Sequence, residues 1–233
     1  LRCLVGSEMC IRDRYKAQRE ETPEAIRLSV PIIKEIIRAY RIPILEVAGY
    51  EADDVIGTLA TEAGRQGIIT YMMTPDKDYG QLVSDKVFMY RPKHTGGFEV
   101  MGVDEVKAKF DIQSPAQVID MLGLMGDSSD NIPGCPGVGE KTAQKLIAEF
   151  GSIENLLEHT DQLKGALKTK VETNREMITF SKFLATIKID VPIQLDMDSL
   201  VREQADEDSL RQIFEELEFR TLIAVSYTHL RAH

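Results

Sequence analysis

The chain has 233 residues, of which 43% are hydrophobic, and this suits one globular domain or one domain with an appendage. No run reaches the roughly 18 apolar residues of a membrane span, and three cysteines without metal-ligand spacing argue against a disulfide framework and favour a reducing cytoplasm. The net charge of −10 is unusual for a DNA-binding protein, but ten acids and two arginines between Asp190 and Glu218 account for −8 of it, so the rest is near neutral.

The two ends of the chain differ from the rest. Residues 1–14 show no periodicity and hold two of the three cysteines, and residues 226–233 follow an apolar segment abruptly. Both resemble translated adapter sequence, so we predict a non-native leader over 1–14 and a non-native tail over 226–233. Ordinary flexible termini are the alternative.

The first half of the remaining chain alternates helices and strands. Apolar residues recur every three or four positions from Pro23 to Tyr40, which predicts a helix that Pro31 kinks or restarts. The next predicted elements are a strand over Pro43–Val47, a helix over Glu51–Gln66, a strand over Ile68–Met73, a short helix through Val83, a strand over Val87–Tyr90, and a turn at Gly96 and Gly97 into a strand over Phe98–Met101. This order is typical of an α/β fold with a parallel sheet.

The second half is predicted to be helical from Val103 onward. The candidate helices are Val103–Phe110, Pro115–Met125, Lys141–Phe150, Ile153–Glu158, Arg175–Ile187 and Asp208–Leu217.

Three acid segments interrupt these elements. The first acid segment holds Glu51, Asp53 and Asp54, between the strand predicted to end near Val47 and the following helix. The second acid segment holds Asp76 and Asp78, after the strand over Ile68–Met73, and the third holds Asp127 and Asp130 in a stretch rich in turn-forming residues. Taken singly, each has a plain structural explanation, because acids cap helix N-termini and occupy turns.

Together the three acid segments predict a metal site. The first two follow successive predicted strands, whose carboxyl ends meet at one edge of a parallel sheet. Seven carboxylates in one small space need a cation, because like charges at close range raise one another's pKa. Carboxylate ligands without histidine or cysteine favour Mg²⁺ or Mn²⁺. Enzymes that hydrolyse phosphodiesters commonly use two such ions about 3.5–4 Å apart.

A glycine-rich turn follows the third acid segment. Glycines 134, 137 and 139 precede a helix predicted to start near Glu140, and Lys141 and Thr142 lie in its first turn. Backbone N–H groups of the turn and the helix N-terminus can therefore approach a phosphate. A second helix from Ile153 completes a helix-hairpin-helix pattern, which grips DNA backbone without reading sequence. A packing turn between two helices is the alternative.

An aromatic residue and two cations lie within one helical turn near the N-terminus, at Tyr15, Lys16 and Arg19. Such a group could hold a phosphate and stack on a base. Taken alone, a solvated helix face explains it as well.

Four motifs, in this order, resemble those of one family. They are Glu-Ala-Asp-Asp-Val-Ile-Gly57, Thr-Pro-Asp-Lys-Asp-Tyr-Gly-Gln-Leu82, Gly-Asp-Ser-Ser-Asp-Asn-Ile-Pro-Gly134 and Gly-Val-Gly-Glu-Lys-Thr-Ala143. The chain from about Tyr15 to Val225 thereby resembles the 5′-nuclease domain of bacterial DNA polymerase I, and flap endonucleases share the pattern.

The resemblance implies a PIN-like, parallel-sheet α/β nuclease core over 15–125 and a helical helix-hairpin-helix subdomain over 126–225. It implies two Mg²⁺ or Mn²⁺ ions, the first held by Glu51, Asp53 and Asp54 and the second by Asp76, Asp78, Asp127 and Asp130. It also implies that Gly137, Val138, Gly139, Lys141 and Thr142 bind duplex backbone, with K⁺ bridging to phosphate. Tyr15 would bind DNA at the base of a helical arch, where Lys16 and Arg19 steer the scissile phosphate as catalytic residues.

One departure from the family affects the expected activity. The family begins with a strand carrying an aspartate, and a second aspartate lies before the arch; both are absent if the native sequence starts at Tyr15. The core would then lack its first strand, and we expect impaired nuclease activity from the chain as given.

The leading hypothesis is a structure-specific 5′→3′ exonuclease and flap endonuclease in DNA replication and repair. We expect a monomer that acts on branched or flapped double-stranded DNA, has no membrane association, and is normally continuous with a polymerase domain. A non-catalytic helix-hairpin-helix DNA-binding module remains an alternative. A metal-dependent phosphohydrolase of small molecules is a third reading, but a small substrate would not need a duplex grip.

Overall fold

A computed structural model describes residues 21–93 and 95–223. In this part of the chain, residues 47–193 form one compact unit, and residues 21–46 with 194–223 form another. The predicted boundary between residues 125 and 126 lies inside the larger unit, and the predicted domain limits remain predictions.

The described elements follow one another in an order that begins with helix and sheet and ends with helices. They are α1 (Glu24–Ala39), α2 (Ala52–Arg65), β1 (Thr70–Met73), a 3₁₀ helix (Lys77–Leu82), β2 (Val87–Pro92), β3 (Phe98–Met101), α3 (Val103–Phe110), a 3₁₀ turn (Pro115–Gln117), α4 (Val118–Met125), α5 (Glu140–Phe150), α6 (Ile153–Glu158), a 3₁₀ turn (Thr160–Gln162), α7 (Gly165–Thr173), α8 (Arg175–Ala185) and α9 (Glu207–Glu216).

The sheet of the larger unit has β2 in its centre. β1 pairs with β2 in parallel, with Thr70 opposite Val87. β3 returns antiparallel to β2 through the predicted turn, where Gly96 and Gly97 adopt φ angles of 86° and 78° that glycine tolerates best. The expected parallel pair is confirmed, and the hairpin makes the small sheet mixed.

One hydrophobic core joins this sheet to the helices that follow it. Met89 from β2 and Val106 from α3 are fully buried, as are Met121 and Leu122 from α4 and Ile178 from α8. Helix α4 is almost wholly buried, which explains its apolar sequence VIDMLGLM. The core fixes the turn after α4, and that turn carries the third acid segment.

The smaller unit packs α1 against α9. Ala39, Leu210 and Phe214 form its buried cluster, and Asp206 caps α9 by accepting a hydrogen bond from the Ser209 amide at 3.1 Å. Pro31 lies inside α1, which runs continuously through it.

Two predictions about local structure are wrong. Residues 42–47 form no strand: Ile42 and Leu45 are exposed, Pro43 has no N–H to donate, and no ladder of hydrogen bonds joins this stretch to another strand in the described chain. Helix α7 was not predicted, because within it only Val171 is fully buried and the apolar period is weak.

Candidate active site and nucleic-acid interface

The first acid segment lies at the N-terminus of α2 and follows no strand, contrary to the sequence prediction. Glu51 is the N-cap residue, and its amide donates to Asp54 Oδ2 at 3.3 Å, as in a capping box. Asp54 Oδ1 accepts a second hydrogen bond, 2.9 Å long, from the backbone amide of Lys188. Helix capping is therefore part of what these acids do, and Asp54 is also fixed by a segment distant in sequence.

The second acid segment lies where predicted, directly beyond β1. Asp76 caps the following 3₁₀ helix by accepting a 3.0 Å hydrogen bond from the Asp78 amide. The buried Tyr79 then donates its hydroxyl hydrogen to Asp53 Oδ1 at 2.9 Å. Burial and this bond raise the pKa of the Tyr79 hydroxyl, which keeps it a donor and links the first two acid segments.

Asp78 is the unusual carboxylate of the group. Its Oδ1 atom is buried, and in the described structure it has no hydrogen-bond partner. Burial raises its pKa to about 7, and the nearby charges of Asp76, Asp127 and Asp130 add to the rise against the opposing effect of Lys77. The second and third acid segments are close together, since Lys77 Nζ lies within ion-pair distance of Asp127 Oδ2.

The third acid segment lies in a tight hairpin after α4. Asp127 and Ile132 exchange backbone hydrogen bonds of 2.9 and 2.7 Å, and Asp127 Oδ1 accepts a 2.8 Å bond from the Ser129 amide. Asp127 Oδ2 lies 2.7 Å from Lys77 Nζ, in the second acid segment. Burial alone would raise the pKa of Asp127, but Lys77 and the Ser129 amide hold it below its usual value.

The three acid segments are thus joined in pairs: Tyr79 links the first to the second, and the ion pair of Lys77 with Asp127 links the second to the third. Crowded carboxylates were expected to need a nearby positive charge, and the Lys77 ammonium supplies one. Among the residues that the structure describes, no three acidic, histidine or cysteine side chains stand close enough together to hold a metal ion. The chemistry still suits a hard cation, because the ligands are carboxylates and Asp78 carries an unpartnered buried oxygen.

The glycine-rich turn leads into α5 as predicted. Gly139 is the N-cap residue of α5, Lys141 is exposed, Thr142 is half-buried, and Val138 is buried beneath the turn. Gly137 has φ +75°, and a Cβ atom there would lie 2.5 Å from Lys170 Nζ. Lys170, on the unpredicted helix α7, therefore places an ammonium group beside this turn.

Helix α8 holds the base of the turn. The fully buried Ser181 accepts a 3.0 Å hydrogen bond from the Gly134 amide. Its neighbour Lys182 pairs with Asp120 of α4 at 2.6 Å and with Glu154 of α6 at 2.8 Å. The turn is thus fixed by polar contacts that the local sequence pattern did not indicate.

The remaining predicted site residues, Tyr15, Lys16 and Arg19, lie outside the described residues. No described helix is both long and apolar enough to cross a membrane.

Two family models match adjoining parts of the chain. "5′-3′ exonuclease, N-terminal resolvase-like domain" matches residues 9–111, and "5′-3′ exonuclease, C-terminal SAM fold" matches residues 113–208. The chain belongs to the 5′-3′ exonuclease family. The resemblance of the four motifs to the nuclease domain of DNA polymerase I is confirmed.

Curated relatives of this family member are much longer than the chain. It is 43% identical to DNA polymerase I of Bacillus subtilis (strain 168) over 211 residues, which are 90% of this chain and 24% of the relative. It is 41% identical to DNA polymerase I of Bacillus caldotenax, with the same two coverages. The chain therefore spans about a quarter of the length of the curated relatives it matches.

Solved structures of two other proteins share the fold. T5 5′-exonuclease with bound divalent metal ions (zinc) superposes with a TM-score of 0.62 at 21% identity, covering 91% of this chain and 79% of the other. The catalytic core of Rad2 in complex with DNA substrate superposes with a TM-score of 0.59 at 16% identity, covering 91% and 70%. These likenesses confirm the expected fold, an α/β core followed by a helical subdomain.

Proposed function

We propose that this chain is the nuclease part of a longer protein and hydrolyses DNA phosphodiesters as a structure-specific 5′→3′ exonuclease and flap endonuclease. The observation that carries the proposal is the buried Oδ1 atom of Asp78, which has no described partner and lies near acids of the second and third acid segments. The first acid segment is joined to the second through the hydrogen bond from Tyr79 to Asp53. A carboxylate in this environment costs free energy unless a cation or a proton neutralises it. A divalent ion would supply that charge.

The seven predicted carboxylates are the proposed ligands. Glu51, Asp53 and Asp54 would hold one Mg²⁺ or Mn²⁺ ion at the start of α2. Asp76, Asp78, Asp127 and Asp130 would hold the other between β1 and the hairpin after α4. When bound, such a pair supplies an activated water and stabilises the charge that develops on the phosphodiester oxygens.

The protein's own groups would orient these ligands. The Tyr79 hydroxyl fixes one oxygen of Asp53, and the Ser129 amide fixes one oxygen of Asp127. The Lys188 amide fixes Asp54 in the same way. Contacts of this kind orient the ligands of metal sites generally. The other oxygens of Asp54 and Asp127 are bonded too, to the Glu51 amide and the Lys77 ammonium, so an ion bound there would share or displace those partners.

The proposed DNA-binding site lies at the glycine-rich turn. The glycines at 137 and 139, the N-terminus of α5 with Lys141 and Thr142, and the Lys170 ammonium would face one stretch of phosphate backbone. Val138 would support the turn from beneath, because it is buried and its amide donates to the Cys135 carbonyl at 3.0 Å. K⁺ could bridge this turn to phosphate. Tyr15, Lys16 and Arg19 keep their proposed role in guiding the 5′ strand.

The wider context of this activity is also proposed. Structures that share the fold include T5 5′-exonuclease with bound divalent metal ions and the catalytic core of Rad2 in complex with DNA substrate, and curated relatives are DNA polymerases. We infer a cytoplasmic role in DNA replication and repair, on branched or flapped duplexes, as a monomer continuous with a polymerase domain.

Cleavage of a 5′-labelled flap duplex tests the proposal. With the chain in excess over DNA, we expect cleavage that requires Mg²⁺ or Mn²⁺ and stops with EDTA. Asp78→Asn should slow it at least about 100-fold, since even a lost outer-shell partner costs 10–100-fold. Asp104→Asn, at an exposed aspartate in the first turn of α3, is the matched control and should cleave normally.

Two outcomes would separate the alternatives. DNA binding without cleavage, together with no stoichiometric binding of Mn²⁺ in calorimetry, would replace the nuclease with a non-catalytic DNA-binding module. The expected impairment of this chain is a separate prediction, and cleavage at the rate of an intact bacterial relative would contradict it.

A further inference from the structure

A segment after α8 runs across both the first and the second acid segments. Residues 185–191, which we call the strap, contain no helix or strand apart from Ala185, the last residue of α8. Ile187 and Val191 of the strap are buried, while Lys188 between them is exposed. The strap therefore lies on the core and not free in solvent, although it has no regular structure of its own.

Gln81 joins the strap to the second acid segment. Its side-chain Nε2 donates to the Asp78 carbonyl at 2.9 Å and to the Ala185 carbonyl at 3.0 Å. Its Oε1 accepts a 2.9 Å hydrogen bond from the Ile187 amide. One amide side chain thus ties the backbone of Asp78 to two backbone groups about a hundred residues away in sequence.

The strap is joined to the first acid segment as well. The Lys188 amide donates to Asp54 Oδ1 at 2.9 Å. Thr58, one turn further along α2, accepts a 3.2 Å hydrogen bond from the Val191 amide and donates weakly to the Lys188 carbonyl at 3.5 Å. The carboxylate of Asp54 is therefore oriented by a strap whose other end is held by Gln81.

Gly57 allows the strap to approach α2 this closely. A Cβ atom at position 57 would lie 2.7 Å from Ile187 Cγ2 and 3.4 Å from the Lys188 carbonyl. Side chains larger than glycine would push against the strap at the point where it reaches Asp54. Gly57 and Gln81 belong to the two motifs that contain the first and second acid segments. Neither residue is charged, so the sequence did not mark them as site residues.

We infer that Gln81 is a positioning residue that sets the spacing between the Asp54 carboxylate and the Asp78 segment through the strap. The inference rests on the proposed function, because it assumes that these two carboxylates bind metal ions together. The direct bond from Tyr79 to Asp53 holds the same two segments at another point. Two links define a separation and an orientation, whereas one leaves the segments free to pivot.

Metal affinity, measured against stability, tests the role of Gln81. Gln81→Met keeps the length of the side chain and removes all three hydrogen bonds. Loss of such an outer-shell contact is expected to weaken Mn²⁺ binding about 10–100-fold in isothermal titration calorimetry. The melting temperature of each variant without metal reports the purely structural cost.

Gln117→Met is the matched control. Gln117 Oε1 accepts hydrogen bonds from the Gln113 and Ser114 amides, and its Nε2 donates to the Gly151 carbonyl at 2.7 Å, so none of these partners belongs to an acid segment or to the strap. Its loss should lower stability by a similar amount and leave Mn²⁺ affinity unchanged. If Gln81→Met and Gln117→Met bind Mn²⁺ equally well, the inference is overturned.

A second variant covers the case in which Gln81→Met does not fold. Thr58→Val removes the other anchor of the strap with little change in shape, touches no carboxylate, and should also weaken Mn²⁺ binding. Unchanged affinity in Thr58→Val would overturn the inference. If the unaltered chain fails to bind Mn²⁺, the proposed function itself is contradicted, and this role for Gln81 with it.

Discussion

Lys77 and Asp127 form an ion pair of 2.7 Å that joins the second acid segment to the third. The Asp127 side chain is only 7% exposed, whereas that of Lys77 is 37% exposed. Burial opposes the charge on Lys77, but Asp127, Asp78 and Asp76 together raise its pKa. In the described structure, this lysine is therefore the cation that offsets the charge of the crowded carboxylates.

Removal of this cation should make the protein depend more on metal. In Lys77→Met, Asp127 is left buried without its partner, and we expect the free energy of unfolding in EDTA to fall by about 1–3 kcal/mol, less than for a fully buried pair because Lys77 is partly exposed. Saturating Mn²⁺ should then raise the melting temperature more than in the unaltered chain. Lys86→Met, outside the acid segments, is the control, and an equal rise in both variants would contradict this account.

The Lys170 ammonium beside Gly137 should contribute one phosphate contact. Lys170→Met is expected to weaken duplex binding and to reduce the slope of log affinity against log salt concentration by about 1. Lys168→Met is the control from the same helix, since Lys168 pairs with Glu172 at 3.9 Å. The assignment fails if fluorescence anisotropy titrations at several salt concentrations give the same slope for both variants.

Gly134 should tolerate no side chain. It has φ +63°, and a Cβ atom there would lie 2.3 Å from the Gly126 amide nitrogen. We expect Gly134→Ala to lower the free energy of unfolding by about 2–5 kcal/mol, from backbone strain together with overpacking. Gly151→Ala has a similar φ of +79° but no atom within 4 Å, so chemical denaturation should show a loss of only about 1–2 kcal/mol. Equal losses would contradict the close packing of the hairpin.

The Lys182 cluster predicts a specific pH dependence. Burial opposes the charge on Glu154, but its bond to Lys182 lowers the pKa below 4.5. A carboxyl whose pKa is lower in the folded state stabilises the fold above pH 4.5 and loses that contribution as the pH falls through the folded value. Glu154 is 63% exposed, so Glu154→Gln should cost under about 1 kcal/mol at pH 7 by chemical denaturation, and progressively less as the pH falls below 4.5.

Lys182→Met should be far more damaging than Glu154→Gln. It leaves the Asp120 side chain, 6% exposed, without its cation, and we expect a loss of about 3–5 kcal/mol at pH 7 by chemical denaturation. Similar losses in the two variants would show that the buried pair does not hold α4 to α8.

The sequence predicted elements well where local chemistry defines them. Val103–Phe110 and Ile153–Glu158 were bounded correctly, because their apolar periods and flanking turn residues are strong. The strand over Pro43–Val47 failed because an apolar run needs a neighbouring strand, and the described chain provides none. Helix α7, and with it Lys170, was missed because it buries little of its surface.

The composition of the site was predictable, but its connections were not. Clustered carboxylates and a glycine-rich turn are visible as local motifs. Contacts such as Tyr79 with Asp53, and Gln81 with residues 185–187, join segments far apart in the chain, and a single sequence carries no local signal for them. The roles of the neutral residues Tyr79 and Gln81, which stand beside acids in the second acid segment, are therefore visible only in the three-dimensional structure.

A crystal of the chain soaked in Mn²⁺ and measured for anomalous scattering tests the central claim most directly. Two peaks about 3.5–4 Å apart, flanked by Asp54, Asp78 and Asp127, are expected for a pair of ions held by the three acid segments. Fully occupied peaks elsewhere on the protein, with none beside Asp78, would contradict the proposed active site.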